Sequence, residues 1–413
     1  MSATAESLKA GAPQGAPAPV SDDRRVDGFV VGVSIIGLLL LGALIALETA
    51  PFLVGLFAVG TVLGIALYHG AFGFTGGWRS FVVKKRSAGL RAQLALLALA
   101  SMLFIPILGS IEPGSGMSGA VAPVGVSLVV GSFLFGFGMQ LGGGCGSGTL
   151  FTVGAGNIRM VLTLVFFIVG SVIGTLHLPW WLELPGVNPV SLISGLGIWG
   201  ALAIQLALCG ALAWWVTQIE RRHHGAIEQR VFSGPDRGYI SNLFKGQWPL
   251  FWAVAVLAVG NLGVLLLSGH PWGITFAFGL WGAKILQAVG VDMSQFEFWT
   301  WDYPSLALAD SVLVNVTSVT NFGLLLGAML AAGLAGRYNQ ASSGRIPPRS
   351  LLAAVLGGLI MGYGARLGFG CNIGALFSGI ASASLHGWIW FAAAWVGSLL
   401  GIRARPWFSL SNS

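Results

Sequence analysis

Charge is what this chain has least of. Asp, Glu, Lys and Arg together make up 8% of its 413 residues, against roughly a quarter in an ordinary soluble domain. So few charges cannot cover a water-facing surface, so lipid must be most of the solvent. Cysteine is scarce too. Three widely spaced cysteines, an odd number, exclude a disulfide framework. No Cys-x-x-Cys occurs and no His/Cys/Asp cluster has metal-ligand spacing, so neither a metal nor a cofactor is implied. The formal net charge is +7. It falls in a few loops rather than in one patch, which speaks for topology signals and against a nucleic-acid partner.

What the chain has in abundance is apolar residues, at 55%, and glycine, at 63 residues. Glycine in membrane helices lets backbones approach closely and lets helices break. A crossing helix needs roughly 20 apolar residues. Candidate spans are 29–47, 51–68, 90–108, 121–141, 160–178, 190–216, 250–267, 306–334, 351–367 and 388–402. Tryptophans such as Trp180, Trp181, Trp214, Trp215 and Trp248 mark several ends, as an interfacial belt should. Four apolar stretches, 70–83, 145–156, 272–287 and 371–383, are too short or too glycine-broken to cross. They are expected to be re-entrant, lining a cavity or buried in protein. Residues 1–27, rich in Ala, Pro and mixed charge, are expected to form a disordered cytoplasmic tail. The run at 29–47 lies too late and lacks the small-residue cleavage site of a signal peptide, so it is expected to be the first crossing.

Loop charge orients the spans. Arg79, Lys84, Lys85, Arg86 and Arg91 lie between the second and third. Arg221, Arg222, Arg230, Arg237 and Lys245 fill the loop 219–248, Arg337, Arg345 and Arg349 another, and Arg403 and Arg405 follow the last span. With all of these in the cytoplasm, Glu112 and Glu183 fall outside in loops without Lys or Arg, and ten crossings place both termini inside. The chain then divides into a first repeat, 28–180, and a second, 181–405, each of five spans and of opposite orientation. The expected fold class is an all-α polytopic membrane protein with an inverted repeat and four re-entrant short helices, a transporter architecture.

Sequence carries the same repeat. GSFLFGFGMQLGGGCGSGTLF from Gly131 resembles GGLIMGYGARLGFGCNIGALF from Gly357. Glycines coincide at Gly136/Gly362, Gly138/Gly364, Gly142/Gly368, Gly144/Gly370 and Gly148/Gly374, and Cys145 coincides with Cys371, 226 residues on.

In each copy a span ends, glycines break it, and a short helix restarts at the cysteine. The N–H groups of a restart have no intrahelical acceptor and, with the helix dipole, favour an anion. Gly144, Cys145 and Gly146 in one copy, and Gly370, Cys371 and Asn372 in the other, are therefore expected to form a substrate path. Close packing of glycines around a small thiol is the alternative for one copy, and symmetric duplication favours the functional reading. Cys209 lies mid-span without a break or a partner, as a buried packing thiol does. Arg366 and Lys284 are charges inside apolar segments and so path candidates; a helix-end bond and snorkelling are the competing roles. His69 and His386 are weaker candidates. Asn315, Thr317, Ser318, Thr320 and Asn321 form a polar cluster suited to interhelical hydrogen bonds.

LGGGCGSG and LGFGCNIG, each after a Gly-x-Gly helix end, resemble the signature of the YeeE/YedE family of sulfur-transport proteins, over about residues 50–402. The resemblance implies inner-membrane movement of thiosulfate or a related sulfur species through an hourglass pore, handed between thiols by transient S–H···S contacts. Cys145 and Cys371 would be two of those thiols. The third family cysteine usually stands in a Gly-Phe-Cys context where this chain has Gly73, in HGAFGFTGGWR. The chain's length and its WGITFAFGLWGAKIL segment resemble the longer YedE-like branch, linked with selenium metabolism. The partners implied are a small sulfur or selenium anion, membrane lipid and a cytoplasmic sulfur-carrier protein. Two rival classes are a membrane-embedded enzyme with a cysteine nucleophile and a scaffold that docks a sulfurtransferase on the loop Arg221 to Lys245. No His or acid lies near either cysteine in sequence.

Overall fold

The computed structural model describes residues 25–112, 114, 116–231, 243–339 and 346–412. Most of the expected tail, and Arg237 and Arg345, lie outside the described residues. Lipid offers backbone groups no hydrogen-bond partner, so apolar runs wind into helices that satisfy themselves. Among the described residues, ten helices are long and apolar enough to cross a membrane, and the chain is a helical multi-pass membrane protein.

The first half comprises α1 (Gly28–Glu48), α2 (Pro51–His69), α3 (Phe74–Lys84), α4 (Ala88–Ser110), α5 (Val126–Gly142), α6 (Gly146–Gly154) and α7 (Ile158–Leu182). After them come α8 (Leu192–His224), α9 (Leu250–Ser268), α10 (Thr275–Ala288), α11 (Asp302–Ala309), α12 (Val316–Leu334) and α13 (Pro348–Leu367). The short α14 (Asn372–Ala381) and then α15 (Leu385–Ala404) complete the bundle. Local chemistry sets the ends. Asp27 caps α1 through the Val30 N–H at 3.1 Å. Asn157 caps α7 through Met160 at 3.2 Å, and Pro51 and Pro348 sit in first turns.

The four short apolar stretches all form short helices: α3, α6, α10 and α14. One expected span is corrected. The run 306–334 is not a single helix, because α11 stops at Ala309 and α12 begins only at Val316. Asn315 makes the break. Its side chain accepts from the N–H and the hydroxyl of Ser318, both at 2.9 Å, and so caps α12. The run 121–141 likewise begins late, at Val126, whereas α8 continues well past residue 216 to His224.

At the centre α13 packs against both α5 and α7, and α15 packs on α5. Glycines make these contacts backbone-close. A Cβ on Gly136 would strike the Ala394 carbonyl, and one on Gly362 the Phe167 carbonyl. A second group forms where α12 packs on α1 and α2, α9 on α2 and α4, and α8 on α4.

Helix connections fall on two faces. On one, Ser118 N–H donates to the Gly269 carbonyl at 2.8 Å, Leu192 N–H to Ala383 at 2.8 Å, and Val124–Gly125 pairs antiparallel with Gly186–Val187. Glu112, Glu183 and Asp302 belong to this acidic face. On the other, Asp27 N–H donates to Gly333 at 2.9 Å, Trp248 to His69 at 3.0 Å and Asn339 to Ala155 at 2.8 Å. This basic face carries Arg86, Arg91, Arg221, Arg222, Arg337 and Arg403. Here a fully buried Glu220 accepts from the Ser87 hydroxyl at 2.5 Å and pairs with Arg86 at 3.5 Å and Arg91 at 3.6 Å, tying α8 to the α3–α4 turn.

Candidate functional site

Both glycine–cysteine motifs build the same local geometry. After α5, Gly143 takes a left-handed φ of 95°, which glycine adopts without Cβ strain. Cys145 is then extended and stands at the N-cap of α6, where its carbonyl accepts from Thr149 N–H at 2.8 Å. After α13, Gly370 has φ 146° and Cys371 is the extended N-cap of α14. The Cys371 carbonyl accepts from Ala375 at 2.9 Å and from Leu376 at 3.3 Å, the wide turn of a π-helix, a distortion common at functional sites.

Folding brings the two motifs together. A Cβ on Gly146, the residue after Cys145, would stand 2.9 Å from Cys371 Sγ and 3.4 Å from the Ile274 side chain. The starts of α6, α14 and α10 thus converge on one point. Cys145 is 1% exposed and Cys371 0%. The Cys145 thiol meets the Ser147 hydroxyl at 3.5 Å, and the Cys371 thiol accepts from Ile373 N–H at 3.4 Å. A Cβ on Gly144 would press on the backbone of Gly148 at 3.0 Å. Around this neck lie buried polar atoms with no partner among the described residues: both ends of the Asn372 amide, the Thr149 hydroxyl and the Asn321 Oδ1. Unmatched polar atoms are uncommon in folded interiors, and here they gather beside two thiols.

From the acidic face a cavity of about 710 Å³ reaches toward this neck. Arg366, Gly370, Gly374, Thr275 and His386 line it, with an aromatic wall that includes Trp272, Phe276, Trp301 and Tyr303. Neither cysteine lines it, though Gly370, next to Cys371, does. Arg366 is 9% exposed. It donates through Nη2 to the Thr275 hydroxyl at 3.3 Å, its Cζ lies 5.9 Å from the Phe276 ring centroid, and its Nε has no partner among the described residues. Its stem lies where a Cβ on Gly174 would be, 2.7 Å from Cγ.

A smaller cavity of about 290 Å³ opens at the basic face, lined by Gly73, Ser80, Arg86, Gln93 and Glu228 among others. A Cβ on Gly73 would meet nothing within 4 Å.

Lys284, Cys209 and His69 lie apart from the cavity lining. Lys284 gives its ammonium to the carbonyls of Leu308, at 2.7 Å, and Asp310, closing the end of α11, and does not line the cavity. Cys209 is buried in α8, away from the neck. His69 is buried at the end of α2 beneath Gly246 and Trp248. His386 hydrogen-bonds Ser384 at 2.6 Å. In the polar cluster, Ser318 accepts from Trp281 Nε1 at 2.9 Å and Asn321 donates to the Ile274 carbonyl at 3.0 Å, two bonds that join α12 to the α10 segment. Thr275 and the aromatic wall were missed by sequence reasoning. Thr275 stands at the helix restart of the third short stretch, the one local mark it carries; nothing local marks the wall.

Among proteins similar to this one is the probable transporter YedE of Salmonella typhimurium, 36% identical over 168 residues, 39% of this chain and 40% of the relative. The chain thus matches about two fifths of the length of that relative. The thiosulfate transporter TsuA of Escherichia coli is 24% identical over 359 residues, covering 84% of this chain and 92% of the relative. The thiosulfate transporter TsuA of Spirochaeta thermophila is 26% identical over 355 residues, covering 80% and 92%. The family model described as sulphur transport matches residues 69–400, a stretch that holds both cysteine turns, Arg366 and both cavities. The chain belongs to the sulphur transport family.

Proposed function

We propose that this protein carries a small sulfur-containing anion, such as thiosulfate, across the bacterial inner membrane. The path runs from the acidic-face cavity past Arg366 and Gly370, through a neck made by Cys145, Cys371, Gly144, Gly146 and Asn372, to the basic face. Lys284 supports the wall from outside this path. The observation that supports the reading is the seating of Cys371 Sγ against Gly146, which packs the thiol of one copy of the repeated motif on the helix restart of the other. A thiol is a polarizable, weak donor. It holds a soft anion loosely, and a conducting site must also release. No bond to sulfur need form or break.

The reading includes an inverted repeat of two halves, 28–180 and 181–405, with α3, α6, α10 and α14 as re-entrant helices and the basic face in the cytoplasm with both termini. Paired contacts support it. Gly136 of α5 meets Ala394 of α15 as Gly362 of α13 meets Phe167 of α7, and Gly397 meets Phe133 as Gly170 meets Leu359. Equivalent residues in these pairs are separated by nearly the same offset as the two cysteines. The names of the two TsuA relatives support a sulfur anion. A selenium analogue has similar charge and softness and belongs to the same test. Purified protein in lipid vesicles should take up labelled thiosulfate, with selenium and sulfur anions added as competitors. Vesicles no more permeable than protein-free ones would overturn the proposal.

A further inference from the structure

Trp272, just ahead of the start of α10 at Thr275, lines the acidic-face cavity and is 1% exposed. An indole N–H can only donate, and the Trp272 Nε1 has no partner among the described residues. Its backbone is pinned on both sides. The Trp272 N–H donates to Asn261 Oδ1 at 2.8 Å, and its carbonyl accepts from the Ser378 hydroxyl at 2.7 Å. Asn261 Nδ2 in turn donates to Ser378 at 3.2 Å, so α9 and α14 hold the residue between them. Arg366 lines the same cavity, is 9% exposed, and leaves its Nε unmatched in the same way. Buried donors without partners are costly and uncommon, and here two of them, one charged and one neutral, line one cavity.

Charge and donor type narrow what they fit. The start of α10 at Thr275 and the start of α14, beside Gly370 and Gly374, both border the cavity. Each adds roughly half a positive charge, so with Arg366 the cavity offers about two, a match for a dianion. No Asp or Glu lines it among the described residues. An oxoanion that keeps a proton finds no carboxylate to accept it, whereas one with bare oxygens meets the donors it needs. Sulfate and thiosulfate share a face of three bare oxygens. We propose that Arg366, Trp272 and the two helix starts form a station for that three-oxygen face, which sulfate fills as well as thiosulfate. Such a station does not tell the two apart. Discrimination falls to the thiols of the neck, which are weak donors and do not replace the water stripped from a hard oxygen. Sulfate therefore occupies the cavity and does not pass. The inference rests on the transport reading above and adds Trp272 as a residue that holds the anion in the outer cavity.

The probes are sodium sulfate and sodium hydrogen phosphate. At mildly alkaline pH both are dianions, and they differ in one proton. Binding to the full-length protein in detergent is measured by titration calorimetry at fixed ionic strength. Sulfate should bind at least about tenfold more tightly than phosphate. Trp272→Phe keeps an aromatic ring and removes the N–H. It should weaken sulfate about tenfold, and Arg366→Gln should weaken it further. The unfolding midpoint of ligand-free Trp272→Phe should not fall, because the lost donor had no partner; a merely structural role predicts a fall. Two variants from different segments guard against one failing to fold, and the sulfate to phosphate ratio needs neither. In vesicles, sulfate should slow the uptake of labelled thiosulfate while labelled sulfate stays outside. Phosphate bound as tightly as sulfate overturns the inference, and so does absence of sulfate binding. A folded Trp272→Phe protein that binds sulfate at the parental affinity overturns it as well. Sulfate entry at the rate of thiosulfate would overturn the division between cavity and neck. Sulfate binding by a protein whose vesicles take up no thiosulfate would leave the station standing and sink the transport reading alone.

Discussion

The Sγ of Cys371 rests against the α-carbon of Gly146, so close that a methyl group there would stand 2.9 Å from the sulfur. Gly148, one residue pair further along α6, is different: a Cβ there would meet Cys145 Sγ at 3.5 Å, an ordinary contact. Gly146→Ala is therefore expected to cut uptake per folded protein at least about tenfold, by forcing the neck apart or shut. Gly148→Ala should cost less than about threefold. Uptake assays on both variants, normalised to monodisperse protein, check this. Equal effects would remove the special status of the Gly146–Cys371 contact.

The thiols themselves are separable from the space they fill. Serine keeps the size of cysteine but offers a harder oxygen. Cys145→Ser and Cys371→Ser should each lower uptake about tenfold or more with little loss of folded protein, while Cys209→Ser, in α8, stays within about twofold. Should Cys145→Ala and Cys371→Ala both transport at the parental rate, thiol participation is wrong and only the glycine-built anion path remains.

Gly73 is extended, at φ −116° and ψ 123°, and its missing Cβ points into open space beside the basic-face cavity. Gly73→Cys should fold as the parent does, because neither conformation nor packing opposes it. The new thiol should react with a membrane-impermeant maleimide supplied from the cytoplasmic side, in a background where Cys209 is serine. Labelling only from the opposite side would invert the proposed orientation.

Lys284 closes the C-terminal end of α11 through two carbonyls. Lys284→Met should lower thermal stability by roughly 1–2 kcal/mol, the worth of charge-assisted hydrogen bonds at a helix end. Uptake per folded protein should change less than about threefold. A loss of uptake at parental stability would restore Lys284 to the substrate path.

The parts of this site written locally were legible. Glycines that end a helix and a cysteine that restarts one lie within eight residues of each other in each motif, and their geometry follows from backbone rules alone. The break inside 306–334 was hidden because the stretch from Leu306 to Val316 stays mostly apolar; Asn315 ends it by capping, a signal that in isolation also suits a mid-helix hydrogen bond. The cavity was hidden for another reason. Thr275, Arg366 and His386 come from three separate helices and Trp301 from the turn before α11, and only tertiary packing gives them a common surface. Arg366 was found through its charge, whereas Phe276 and Trp301 look like any other interfacial aromatics. Lys284 shows the converse, a charge conspicuous in sequence that folding assigns to a helix end.

The glycine contacts between α5 and α15, and between α7 and α13, each join a helix of the first half to one of the second. Through α13, which also packs on α5, the halves are threaded into each other like interlocked fingers. Swinging one half against the other would tear backbone from backbone along all of these seams. A transport cycle compatible with such a frame keeps the scaffold still and confines motion to a few side chains and helix starts at the neck. In kinetic terms the protein would behave as a narrow gated conduit, its turnover set by hopping between neighbouring sites and scarcely by large rearrangements.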